Sequence, residues 1–264
     1  MIENSIQVSD DNVSLAWAKA FMAVMKPGVE AIMPLTVTVT GLNNGYVPET
    51  AGVREALDDC MTENGVSICA TVASTIFPRS LWNPALARDA LRRRYLNILP
   101  KLKKHRANMY GLYFERLVAF GPRQIDQLDH IITTYKRGNH RRSALQAAVF
   151  DPAADHSHQR QRGFPCMQQL TFVPFGDDEL AITGFYATQW LFERAYGNYL
   201  GLCHLGQFMA HELGLRLSRM NCVAGVALRG DTAKERLTRL ARHLEGVLAR
   251  ARPGSCALEN SQRS

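Results

Sequence analysis

The segment 196–217 is apolar on most faces of a helix, and this constrains the fold more than any other stretch of the chain. A helix with one apolar stripe can lie on a surface, but one that is hydrophobic nearly all round must be enclosed. Each Å² of apolar surface left wet forfeits roughly 25 cal/mol. No apolar run approaches the roughly 20 residues that span a bilayer, so the enclosure has to come from the rest of the chain. The 264 residues, 46% hydrophobic and 21% charged, are enough for one full core around such a helix.

The flanking patterns supply the layers. Val13–Met25 carries Trp17, Phe21 and Val24 at helical spacing behind the capping run Asp10-Asp11-Asn12. Val53–Glu63 reads as a short helix stopped by Asn64-Gly65, and 84–99 as a basic helix closed by Pro100. Residues 126–136 form an amphipathic helix with Ile125, Leu128, Ile131 and Ile132 on one side, and 232–250 another, with Leu237, Leu240, Leu244, Val247 and Leu248 on its core stripe. Residues 32–40 alternate and are β-branched, as a strand requires. Residues 66–76 read as a strand or buried extended segment, and 145–150 as a short strand ended by Asp151-Pro152, before a polar loop at 153–163. Residues 168–173 and 179–185 form a hairpin across Pro174-Phe175-Gly176-Asp177-Asp178. With no internal repeat and no dividing linker, the expectation is one α+β domain over 1–252, a sheet packed on the long buried central helix, and a disordered tail at 253–264.

Net charge is +7, from 31 Lys and Arg against 24 Asp and Glu. The excess gathers in 88–106 and 234–252. Blocks of this kind can hold a polyanion, but no aromatic residues are interleaved for base stacking, so solvated helix faces are the commoner reading and nucleic acid is not an expected partner. The polar, acidic start at 1–11 is unlike a secretory signal, and the expected location is the cytoplasm, with no membrane partner. Six scattered cysteines (Cys60, Cys69, Cys166, Cys203, Cys222 and Cys256) lack zinc-site spacing, and most read as small buried hydrophobes. No metal is expected.

Cys166 has different surroundings. It follows Phe164-Pro165 and opens a strand, with His140-Arg141-Arg142 and Val149-Phe150-Asp151-Pro152 before it and Asn198 on the apolar helix after it. These residue types suit one chemistry. A pyrimidine ring is inert to electrophiles at C5 until a thiolate adds to C6, which makes C5 an enolate-like nucleophile. A guanidinium favours the thiolate and binds phosphate in bidentate fashion, and an amide pairs with a pyrimidine edge as donor and acceptor. Each signal has an ordinary counterpart: a buried thiol, a solvated turn, a packed amide.

In order and spacing, residues 108–210 resemble the central part of the thymidylate synthase and dCMP hydroxymethylase family. Met109-Tyr110-Gly111 is similar to its Tyr-Gly motif, Ile125-Asp126-Gln127-Leu128 to its Asp-Gln helix, and Arg141-Arg142 to its Arg-Arg segment. Phe164-Pro165-Cys166 resembles its Pro-Cys nucleophile, Leu170-Thr171-Phe172-Val173 the strand that follows, and Tyr196-Gly197-Asn198 its Pro-Phe-Asn at the start of a buried helix. The resemblance implies a thymidylate-synthase-like fold and homodimer, with Cys166 attacking C6 and the partner's copies of Arg141 and Arg142 binding phosphate. Asn198 would read the pyrimidine edge. Relatives acting on cytosine tend to have Asp there, so Asn implies a uracil nucleotide. Tyr110 marks the Tyr-Gly segment, and 5,10-methylenetetrahydrofolate is the implied one-carbon donor.

The chain also departs from that pattern. The family's Gln-Arg-Ser-x-Asp strand reads Tyr186-Ala187-Thr188-Gln189-Trp190, in which Thr188 alone keeps a hydroxyl in place of Ser. The His after the nucleophile is Met167, the His-x-Tyr that holds the sugar is absent at 228–230, and Glu55 and Asp58 are the nearest acids to the catalytic Glu of the first long helix. A basic helix and polar tail replace the segment that closes over the folate. Three functions stay open: a cysteine-dependent C5 methyl- or hydroxymethyltransferase, a degraded synthase fold acting as a nucleotide-binding or scaffolding module, and a polyanion binder.

Overall fold

A computed structural model describes residues 2–43, 45–108, 110–156, 158 and 164–251. In chain order the elements are β1 (Ile2–Glu3), β2 (Ile6–Asp10), α1 (Val13–Met25), β3 (Ala31–Ile32), β4 (Leu35–Val39), α2 (Val53–Glu63), α3 (Cys69–Ile76), α4 (Asp89–Leu102), α5 (Tyr113–Val118), α6 (Gln127–Arg137), β5 (Gln146–Ala148), α7 (Pro152–Asp155), β6 (Met167–Phe175), β7 (Glu179–Trp190), a π-helical turn (Leu191–Ala195), α8 (Tyr196–Leu213), β8 (Arg216–Leu228) and α9 (Thr238–Arg250). The class is α+β. One mixed sheet runs β1-β3-β8-β7-β6-β5, and β4 pairs both β8 and β2. β7 and β8 are parallel and joined through α8, whereas β5, β6 and β7 are antiparallel neighbours.

The apolar segment becomes α8, and it is enclosed. It packs on β7 and β8 along one side and on α3 along another. The close approach depends on glycine. A Cβ on Gly197 would lie 2.6 Å from Val72 Cβ and 2.7 Å from the Cys69 carbonyl oxygen, and one on Gly201 would lie 2.9 Å from the Ala73 oxygen. Gly214, in the left-handed conformation at φ 71°, ends the helix. The other sheet face, away from α8 and α1, is open. Its side chains, among them Ser9, Thr38, Asn221, Thr183 and Thr171, are exposed or half-buried. The ladder Thr38 Oγ1 to Asn221 Oδ1 (3.0 Å) and Asn221 Nδ2 to Thr183 Oγ1 (3.1 Å) crosses that face.

The starts of α1 and α6 are held by the side-chain caps of their own N-terminal residues. Asn12 Oδ1 accepts from the N–H groups of Ser14 (2.9 Å) and Leu15 (3.2 Å), and Asp126 Oδ1 accepts from Asp129 (2.9 Å). Four expectations fail. Residues 66–76 contain helix α3 instead of a strand: Cys69, Val72, Ala73 and Ile76 are buried at helical spacing, and the Asp58 carboxylate receives the Cys69 N–H at 2.7 Å at the helix start. Pro100 lies inside α4, which starts only at Asp89 and ends at Leu102. The central helix stops at Leu213 and not 217, because the chain turns at Gly214 into β8, a central strand that the sequence reading missed. Ile125 is 42% exposed and off the α6 core stripe, while Leu128, Ile131 and Ile132 are buried.

The basic blocks are ion-paired helix faces. Arg88 pairs with Asp129 (2.7 Å), Arg92 with Asp126 (3.3 Å) and Lys103 with Glu115 (2.8 Å), while Arg239 pairs with Glu63. Among the described residues no helix is long and apolar enough to cross a membrane. The expected tail at 253–264 and most of the polar loop at 157–163 lie outside the described residues; the start of that loop is α7, capped by Asp151, which accepts from the Ala153 N–H at 3.1 Å.

Candidate functional site

Cys166 immediately precedes β6, and its carbonyl accepts from the Ala187 N–H at 2.9 Å. The antiparallel register sets Met167 opposite Tyr186. The thiol therefore sits at the end of the sheet where β7 runs out into the π-helical turn and α8 begins. Phe164 braces it from the other side. Its ring lies 5.2 Å from the Tyr113 ring and 5.5 Å from the Arg116 guanidinium, which is held by Asp155 (2.8 Å) and Asp151 (3.6 Å). A Cβ on Gly111 (φ +133°) would come within 2.9 Å of the Phe164 ring. Only glycine allows the Tyr110-Gly111 segment to pass this close to Phe164-Pro165-Cys166.

Cys166 is exposed, whereas Cys60, Cys69, Cys203 and Cys222 are buried. Partial withdrawal from water pushes the Cys166 thiol up from its ordinary range, and the positive charge of Arg194 opposes that rise. Tyr113 is pushed up by burial and by the negative charge of a Cys166 thiolate, while the backbone N–H groups of Met167 and Cys166 face its oxygen and Arg194 lowers it. Tyr186 is driven well above the usual phenol range, first by burial and then by Cys222, Tyr113 and Cys166. Both phenols stay protonated near neutral pH and can only donate or share a proton there.

Buried polar side chains gather at this end. Asn198 is 3% exposed, and no described residue hydrogen-bonds its amide. The Tyr186 hydroxyl is fully buried, also without a partner. Native proteins pair more than about 90% of such groups. Among the described residues, Glu193 Oε2 in the π-helical turn is a further fully buried atom without a partner, and Tyr95, Glu115, Gln207 and Ser218 carry others elsewhere in the fold.

Of the residues singled out from the sequence, Cys166, Thr188, Asn198 and Tyr110 gather at this end. Thr188 is half-buried, one residue past the Ala187 that pairs with Cys166, and Tyr110 is 39% exposed beside Gly111. Arg141 and Arg142 do not join them within one chain. They precede β5, whose neighbour Leu145 accepts from the Phe172 N–H at 2.9 Å. From Phe172 back along β6 to Cys166 is about 20 Å of strand, at roughly 3.3 Å per residue. Both arginines are exposed, and among the described residues neither guanidinium has a partner. Glu55 is exposed on α2, and Asp58 caps α3, so neither acid serves the thiol. Met109 lies outside the described residues.

The guanidinium that does act on Cys166 is Arg194, which sequence reasoning missed. Its signal was a lone cation within an apolar run: in Leu191–Ala195 only Arg194 is exposed, with Leu191, Phe192 and Ala195 fully buried. The turn carrying it is tightly anchored. Leu191 O accepts from Trp17 Nε1 (2.8 Å), the Phe192 N–H donates to Arg229 O (3.0 Å), and Glu193 Oε1 accepts from the Thr232 N–H (3.0 Å) and hydroxyl (2.9 Å). π-Helical turns of this kind are frequent at functional sites. Among the described residues no group of three or more His, Cys, Asp or Glu side chains could hold a metal ion. No protein-family model matches the chain, and no curated protein matches it.

Proposed function

We propose that the chain is a divergent member of the thymidylate synthase and dCMP hydroxymethylase family, a C5 methyl- or hydroxymethyltransferase that works on a uracil nucleotide through Cys166. The observation that carries this is the unpartnered Asn198 amide, buried at the same end as an exposed cysteine. An amide so placed has a donor and an acceptor to offer a pyrimidine edge, and the flat ring would then present C6 to the sulfur. The thiolate adds to C6, the C5=C6 electron pair moves into the ring carbonyl, and C5 becomes the nucleophile. Reversal expels the thiolate and restores the ring. Arg194 favours the charged sulfur, and Thr188 and Tyr110 border the approach.

A homodimer completes the reading. The open sheet face carries Thr38, Asn221, Thr183 and Thr171 together with Val173 and Phe185, which are 40% and 44% exposed. A second copy stacked on it could bring its free Arg141 and Arg142 toward this chain's anionic ligand. A reduced folate is the donor the family implies, but the residues present fit it poorly. Trp190 stands where the family has an acid, and α9 packs on α1 and α2.

Those departures, together with the upward push on the Cys166 thiol, favour a second reading: a synthase fold that binds a nucleotide, or scaffolds a complex, without turnover. Intact mass after incubation with 5-fluoro-dUMP, with and without methylenetetrahydrofolate, separates the two. A covalent adduct on Cys166 that Cys166→Ala abolishes supports the enzyme. Ligand-induced thermal stabilisation without an adduct supports the module, and neither adduct nor stabilisation refutes both.

A further inference from the structure

Tyr186 occupies a position that the sequence resemblance leaves without a role, in a strand whose functional residues are replaced. Its place in the fold is specific. On β7, Gly184 and Tyr186 share the sheet face covered by α8. The Leu202 methyl groups lie 3.0 Å from where a Gly184 Cβ would be, and Asn198 is one helical turn N-terminal to Leu202. Because α8 joins two parallel strands, it runs back against them, so that turn of about 5.4 Å carries Asn198 from Gly184 toward Tyr186. The Asn198 amide and the Tyr186 hydroxyl therefore belong to one buried patch. Met167 is the register partner of Tyr186, which leaves Cys166 one strand residue away.

We infer that Tyr186 is a catalytic residue whose hydroxyl donates a hydrogen bond to the ring carbonyl oxygen that gains negative charge when the Cys166 sulfur adds to the pyrimidine, an inference that rests on the reading above. As the Sγ–C6 bond forms, the C5=C6 π pair shifts through C4 and charge collects on O4. The phenol keeps its proton and stabilises that oxygen. Water then protonates C5 of that enolate, a C5 hydrogen leaves as a proton to water, and the electrons re-form C5=C6 as the Sγ–C6 bond breaks and the thiolate departs, so that tritium at C5 passes into the solvent. A donor already in place costs no reorganisation at that moment, and its bond is stronger to the charged oxygen than to the neutral one. Burial serves the same end by keeping the phenol protonated. No described side chain or backbone group competes for the hydroxyl.

The test is Tyr186→Phe, read by melting temperature, by calorimetric dUMP affinity and by tritium release from [5-³H]dUMP. Deleting an unsatisfied buried hydroxyl leaves the melting temperature unchanged or raises it. Tritium release falls about 10²-fold, as for loss of one oxyanion donor, while dUMP affinity weakens by less than about tenfold. A melting temperature lowered by more than about 5 °C overturns the inference whatever the rate, because the hydroxyl would then have a structural partner. Undiminished tritium release in the variant overturns it and leaves the uracil-nucleotide reading intact. A wild-type protein that neither binds dUMP nor releases tritium refutes that reading, and the role of Tyr186 with it.

Discussion

Gly197→Ala tests the contact that positions Asn198. The added methyl would sit 2.6 Å from Val72 Cβ, 2.8 Å from Val72 Cγ1 and 2.7 Å from the Cys69 carbonyl oxygen. None of these atoms is the far end of a flexible side chain, so α3 has to withdraw. Overpacking of this kind costs typically 1–3 kcal/mol, and clashes with both a backbone carbonyl and a stiff β-branched side chain put it at the upper end, about 3 kcal/mol. Alanine regains about 1 kcal/mol of helix propensity, so the net loss is about 2 kcal/mol. For a chain of this size that lowers the melting temperature by about 4–8 °C. Gly246→Ala in α9 is the control. There the nearest atom is an Arg250 guanidinium nitrogen at 3.6 Å, the propensity gain is unopposed, and stability rises by about 0.5–1 kcal/mol. Differential scanning calorimetry of the two variants gives shifts of opposite sign. A Gly197→Ala protein as stable as wild type would refute the packing argument, and with it the claim that α3 fixes the start of α8.

Arg194→Met removes the charge that opposes the upward push on Cys166, so the thiolate fraction at neutral pH drops; the pH profile of iodoacetamide alkylation moves to higher pH, and Arg194→Lys moves it less. His204 is held down to about 4 from 6.5, first by burial and then by Arg79 and Arg54. Its unfolded form therefore takes up a proton before its folded form does. Its contribution is complete above pH 6.5 and is lost as pH falls toward 4, by as much as about 3 kcal/mol, so His204→Gln flattens urea-measured stability across that window. Phe185→Lys charges the open sheet face beside Val223 and Gln169, its register partners. Under the homodimer reading, sedimentation equilibrium finds the variant monomeric, and Arg141→Ala no longer changes its nucleotide affinity.

Local chemistry alone determined a good part of this protein. Asn12 and Asp126 cap helices because their side-chain oxygens reach orphan N–H groups within their own turn, and residues 168–173 and 179–185 pair across Gly176 because alternation and turn residues need no distant partner. The enclosure of 196–213 was legible for a similar reason, since apolar surface on every side has no local alternative to burial. Tertiary context decided the rest. The β-branched residues of 66–76 become a helix because two glycines of α8 admit it and Asp58 caps it from another element. Residues 216–228 become the central strand because β7 and β4 are there to pair with them. Cys166, Thr188, Asn198 and Tyr110 could be picked out as types, but Arg194 and Tyr186 acquire meaning only from what surrounds them. A guanidinium acts on a thiol, and a hydroxyl goes unsatisfied, through distances across the fold that no spacing along the chain encodes.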